Sequence, residues 1–296
     1  MSYHQIMQRA SLYLTLVIAT IAVSWAAIFI RLADADPIST AFYRMAFAVL
    51  LVLIPAIKGF RAQWIKLSGR EKMFMLASGI ALGLHFATWI TSLKYTSISN
   101  SVIIVATQPF FVAIVEHFWW GDKINKRTIL GMALAFAGMV IISVSDFQLG
   151  GDHLFGDLLA LAGAFLAGIY LLLGRRVRQT IDNRRYVLPV YAIAAGTLLL
   201  ISFFSASPLT GFTPKVWLLF FLLALIPTIM GHTLYNYLLK YIKAHLVAVT
   251  ILGEPIGATI FGAIIFHEYP AVATYVGGGL ILIGIFLALS RVKSHS

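Results

Sequence analysis

Hydrophobic positions along this chain do not alternate, nor do they mark one face of a helix. They fill blocks of about twenty residues separated by short clusters of charge, proline and glycine. At 1.5 Å per residue such a block reaches about 30 Å, the thickness of a bilayer's hydrocarbon core. The pattern predicts ten membrane-spanning helices. The first five lie near 11–30, 38–57, 73–93, 98–117 and 128–145, and the second five near 155–174, 187–206, 215–239, 245–266 and 271–290. Pro37, Pro214 and Pro270 suit first helical turns, where the missing N–H costs nothing.

The basic residues test that count. Eighteen of the 22 Lys and Arg fall at the start of the chain, in every second loop and at its end; among them are Arg61, Lys123, Arg175, Lys243 and Lys293. The intervening loops hold only Arg31, Lys94 and Lys215, and Arg44 lies inside a span. A missed or invented span would scramble this alternation. The positive-inside bias then places both termini in the cytoplasm.

Composition agrees: 60% of the 296 residues are hydrophobic and 11% charged, against about 25% charged in soluble domains. A net charge of +11 would suit nucleic acid, but the basic residues sit in short loops, with no stacking platform on a soluble surface. No nucleic-acid partner is expected. With no cysteine, disulfides and thiolate metal sites are excluded. Because the first apolar block is long and lacks a small-residue cleavage site, it is read as a helix and not as a signal peptide.

Shifting the chain by 146 residues aligns it with itself without a gap from 94 to 142. Lys94-Tyr95 falls on Lys240-Tyr241, Pro109 on Pro255, Gly131 on Gly277 and Gly138 on Gly284. Gln108 meets Glu254, and Asp122 meets Glu268. Each copy, 11–146 and 153–290, contains five spans, an odd number, so the second enters the membrane upside down. Such inverted repeats place a substrate site near the midplane, between the halves.

The ends of the two copies resemble the EamA-type branch of the drug/metabolite transporter superfamily. The first reads Gln108-Pro109-Phe110-Phe111, then Gly121-Asp122, Gly131 and Gly138. The second reads Leu252-Gly253-Glu254-Pro255, then His267-Glu268, Gly277-Gly278-Gly279 and Gly284. Members show a proline in the fourth helix of each repeat, a Gly-Glu pair at its end and spaced glycines in the fifth; here Asp122 replaces the Glu in one copy and His267 the Gly in the other. The resemblance implies an all-helical membrane fold of ten helices in two inverted five-helix repeats. It implies a cavity among helices 1, 3, 4, 6, 8 and 9, and export or uptake of amino acids, related metabolites or drugs.

Polar groups at bilayer depth are costly and mark pathways or partners. In the third span His85, Trp89 and Ser92 share one face, and in the eighth His232, Tyr235 and Asn236 form a comparable stripe. Together with Trp25, Phe29, Gln108 and Tyr170 they are candidates for an aromatic, hydrogen-bonding pocket suited to a zwitterion or an amine. Glu254, mid-span before Pro255, has two open readings: a proton-coupling or cation-binding carboxylate, or a protonated side chain bonded to a carbonyl freed by the proline. Arg44 is expected to snorkel or to pair with Asp34 or Asp36, and Glu116-His117 to be a solvated pair at a span end. The glycines at seven-residue spacing suit packing seams. Pro109 and Pro255 are expected to kink their helices.

No nucleophile constellation, phosphate loop or metal-ligand spacing is present, so no cofactor and no enzymatic activity are expected. The resulting expectation is a multi-pass protein of the cell (inner) membrane, a secondary transporter that exports small polar metabolites, amino acids foremost, by alternating access with proton coupling. It would act as a monomer or homodimer. A membrane enzyme acting on lipids or isoprenoids, and a channel, are the alternatives.

Overall fold

The structure, a computed structural model, describes residues 3–57, 64–65, 67–96, 98–144, 151–267 and 272–290. Expectations resting on Pro270, Glu268 and the terminal residues lie outside them. In the described residues every regular element is helical. They are α1 (Tyr3–Ala33), α2 (Pro37–Ile57), α3 (Gly69–Ser92), α4a (Ile98–Val105), α4b (Gln108–Trp120), α5 (Lys126–Val144) and α6 (Gly151–Arg178). After these come α7 (Asn183–Phe204), α8 (Pro214–Leu238), α9a (Ala244–Ile251), α9b (Glu254–Phe266) and α10 (Val272–Leu289). Counting α4a with α4b and α9a with α9b, ten columns cross the membrane.

Local chemistry sets several ends. Pro37 opens α2, and Pro214 opens α8 behind the cap of Thr213. Ser68 and Glu71 close a capping box at the start of α3.

The fourth and ninth columns are broken, not merely kinked. The breaks fall at Ala106-Thr107 and Leu252-Gly253, positions 146 residues apart, two residues before Pro109 and Pro255. A proline cannot bond the carbonyl four residues back and crowds the preceding residue, whereas it sits without penalty in a first turn. Each column therefore ends and restarts, with the proline in the first turn of the new half. The eighth column carries a π-helical turn, Ala224–His232, around Pro227.

Helix packing follows the inverted repeat. α3 packs on α6, and its counterpart α8 on α1; α4 packs on α6 and α9 on α1; α3 meets α7 and α8 meets α2. The self-related pairs are α2 with α7 and α5 with α10. The last pair is the tightest seam. A Cβ on Gly131 would lie 2.4 Å from the Gly284 carbonyl oxygen, and one on Gly138 would lie 2.4 Å from that of Gly277. The glycines at seven-residue spacing thus let two backbones meet. The pattern that pairs each contact with an inverted twin is what leaves a central space between the halves.

Candidate functional site

That space is a cavity at the level of the two breaks. α3 contributes His85 and Trp89, α6 Tyr170, α8 His232 and Tyr235, and α2 Arg44. From the broken columns come Val105 and Gln108, on either side of the first break, and Ile251 and Glu254, on either side of the second. The pairs Val105/Ile251, Gln108/Glu254 and Trp89/Tyr235 are each separated by 146 residues, so equivalent positions of the two copies face the same space. It admits the centres of water-sized spheres over about 40 Å³, room for roughly three waters at about 10–15 Å³ each.

The wall is held rigidly. His85 Nδ1 lies 2.9 Å from the Gly163 carbonyl oxygen; because a carbonyl only accepts, Nδ1 carries the proton and Nε2 keeps its lone pair in the neutral ring. The His85 ring stacks on Trp89, with centroids 5.9 Å apart and planes 5° from parallel. His232 stands edge-on to Phe86 at 5.3 Å. The Tyr235 hydroxyl is 3.0 Å from Thr20 Oγ1, tying α8 to α1.

Seven of the eleven candidates from the sequence therefore meet at the cavity: His85, Trp89, Gln108, Tyr170, His232, Tyr235 and Glu254. Four do not line it. Trp25 stacks on Phe29 (5.2 Å) and on Phe261 of α9b (4.1 Å), so these rings pack α1 against α9b. Ser92 bridges α3 to α4a through Ser101 Oγ at 2.6 Å. Asn236 stands behind the wall, its amide bonded to the Tyr170 hydroxyl.

Arg44 corrects the expectation of a snorkelling or gate-side ion pair. It is fully buried, lines the cavity and forms no ion pair among the described residues. Eight residues of helix separate it from Asp36 by about 12 Å, and Asp36 instead caps the backbone N–H of Ser39 at 2.9 Å. An arginine deep in an apolar span with no acidic residue within a helical turn was the signal to read.

Glu116 is the second correction. Far from being solvated, it is fully buried on the face that carries the basic loops. Its carboxylate accepts from Arg175 of α6, from the His245 ring, and from the backbone N–H groups of Ala244 and His245 at 3.0 Å, where α9a begins. Asp122 joins the cluster, 2.7 Å from Arg175 and 2.8 Å from Lys243. Burial alone would raise the Asp122 carboxyl, but the hydrogen bonds and charges of Lys243 and Arg175 outweigh it and hold the group below the usual carboxylate range. The cluster joins α4b, α6 and α9a beneath the cavity, and every residue of α9a is buried.

Gly121, which ends α4b, takes a left-handed conformation at φ 67°. His267, which ends α9b at the equivalent place, takes it too at φ 56°. The position that reads Gly in one copy and His in the other is thus a helix cap in both.

Ten membrane-crossing columns, inverted halves and a buried polar cavity between them define a membrane transporter. The chain matches the profile of the EamA-like transporter family twice, over residues 9–144 and 154–290, and it belongs to that family. Among its relatives, an uncharacterized transporter of Archaeoglobus fulgidus is 29% identical and covers 93% of this chain and 97% of its own length. The uncharacterized transporters YyaM and YoaV of Bacillus subtilis are 24% and 26% identical, covering 87% and 89% of this chain and 86% and 91% of their own. A solved crystal structure aligns over 95% of this chain and 97% of its own with a TM-score of 0.75 at 18% identity, a likeness of fold alone.

Proposed function

We propose that the protein is a secondary transporter that exports amino acids or closely related zwitterions by alternating access. The observation that carries this reading is the cavity itself, walled by equivalent residues of both inverted halves and lined by aromatic rings and hydrogen-bonding groups. Ring faces attract an ammonium group, and His, Gln and Tyr satisfy the remaining polar atoms. The basic face is assigned to the cytoplasm by the positive-inside bias, so the Glu116 cluster closes the cytoplasmic end. With room for only about three waters, the cavity must widen to take substrate, as an occluding site does.

Proton coupling through Glu254 is part of the proposal. This side chain lies mid-span at the cavity, which Arg44 also lines, and the two form no ion pair among the described residues. The experiment is flux of labelled amino acids in proteoliposomes, with saturable uptake expected for at least one; flux that fails to saturate favours a channel. Glu254→Gln should flatten the pH dependence of that flux, and an unaltered pH profile removes Glu254 from any coupling role.

A further inference from the structure

Among the described residues Arg44 is the sole Arg or Lys lining the cavity, and its geometry is that of a prepared site. Its Nε donates to Thr228 Oγ1 at 2.8 Å. The Thr228 hydroxyl in turn donates to the Leu223 carbonyl oxygen at 2.9 Å, inside the π-helical turn. The guanidinium lies over the Phe86 ring, 4.1 Å from its centre. The plane is therefore fixed from one edge and one face. Its two outer nitrogens, Nη1 and Nη2, have no hydrogen-bond partner among the described residues, and neither has the indole N–H of Trp89.

A buried cation with its fork unbonded is costly, and a cost of that kind is retained where a ligand removes it. The fork matches two parallel oxygens, which a carboxylate presents. The remaining cavity groups complement the other end of the same ligand. Glu254 is an acceptor, His85 Nε2 holds a lone pair because Nδ1 is committed to Gly163, and the Gln108 side-chain oxygen is a third acceptor. Donors thus come from Arg44 and Trp89, and acceptors from Glu254, His85 and Gln108.

Resting on the transport reading above, we propose that Arg44 is the carboxylate anchor of the substrate site, and that its ligand is a zwitterion whose ammonium group is received by Glu254 and His85. A dianion such as phosphate is disfavoured, because one guanidinium faces a carboxyl across the same space.

Thermal stabilisation of the purified full chain, measured with each of the twenty L-amino acids, tests this. The best binder is then compared with its α-carboxamide, its decarboxylated amine and inorganic phosphate. The expected result is that the carboxamide and the amine bind at least tenfold more weakly, that phosphate gives no shift, and that Arg44→Lys weakens the amino acid about tenfold or more. The proposal is overturned if the carboxamide or the amine binds within twofold of the acid, if phosphate binds more tightly, or if none of the twenty stabilises the protein. The analogue comparison uses the native chain, so a variant that fails to fold does not block the decision. Flux of the same compounds separates this from the broader reading. Binding with the expected selectivity but without flux refutes transport and leaves the anchor standing, whereas flux that is equal in Arg44→Lys refutes the anchor and leaves transport standing.

Discussion

Replacing Glu116 by Gln keeps the shape of the side chain and removes the charge on which four donors converge. In the native structure its carboxylate holds Arg175, the His245 ring and two backbone N–H groups at the start of α9a. Removing one partner from a buried charge cluster costs about 3–5 kcal/mol. The cluster joins α4b, α6 and α9a, and on the alternating-access reading proposed above these separate when the cavity opens to the cytoplasm, so the loss falls on the closed state. Taking about 3 kcal/mol at 1.4 kcal/mol per factor of ten, the closed-to-open ratio drops roughly a hundredfold. The chain has no cysteine, so a single Val247→Cys substitution, one turn beyond Lys243 and at a fully buried position, reports the opening. Its maleimide labelling from the cytoplasmic face should quicken by roughly that factor in Glu116→Gln and by less in Glu116→Asp. Labelling from the opposite face should not rise, which distinguishes gate opening from unfolding. Equal cytoplasmic labelling rates with and without the Glu116→Gln change would show that the cluster is packing and not a latch.

The remaining expectations concern charge, caps and seams. Asp122, held below the usual carboxylate range, stabilises the closed cluster at all pH above that range and loses the effect only as pH falls through its depressed value; Asp122→Asn should therefore speed labelling of the Val247→Cys reporter equally at pH 5 and pH 8, and a difference confined to one end of that window would contradict the assignment. His267→Gly relieves a left-handed conformation that costs a side chain roughly 1–2 kcal/mol, so the melting temperature in detergent should rise by about 2–4 °C or somewhat more. Gly138→Val drives a side chain into the Gly277 carbonyl and should destabilise by about 1–3 kcal/mol, whereas Gly262→Ala, with nothing within 4 Å of its Cβ, should be neutral or gain up to about 1 kcal/mol from helix propensity; the same melting assay ranks them.

Much of the fold was legible because the bilayer imposes it. Span length, alternation of basic loops and the 146-residue repeat are all one-dimensional signals, and the repeat matched Pro109 with Pro255, which were expected to kink their helices where the structure breaks them. What stayed hidden depended on neighbours distant in sequence. Glu116 read as a span-end group facing water because its partners come from Arg175 and His245, on helices brought in by the second copy. Arg44 read as a snorkelling side chain because the proximity of Asp34 and Asp36 in sequence suggested partners that helical rise puts out of reach. Trp25 and Phe29 lie on one helix face, as expected, but spacing alone does not say whether that face meets the cavity or the rings of α9b.

The inverted copies also differ in a way that bears on mechanism. α4b and α9b are equivalent half-helices on opposite faces of the membrane, yet α4b buries Gln108, Pro109, Val112, Ala113 and Glu116, while α9b fully buries only Pro255. The repeat sets Gly262 where the first copy has Glu116, so α9b lacks the carboxylate that ties α4b to its neighbours. Among the described residues, α9b meets α1 through the stack of Trp25 on Phe261 and through the Arg31 guanidinium, 4.2 Å from the centre of the Phe266 ring, ring contacts worth about 0.5–1.5 kcal/mol each.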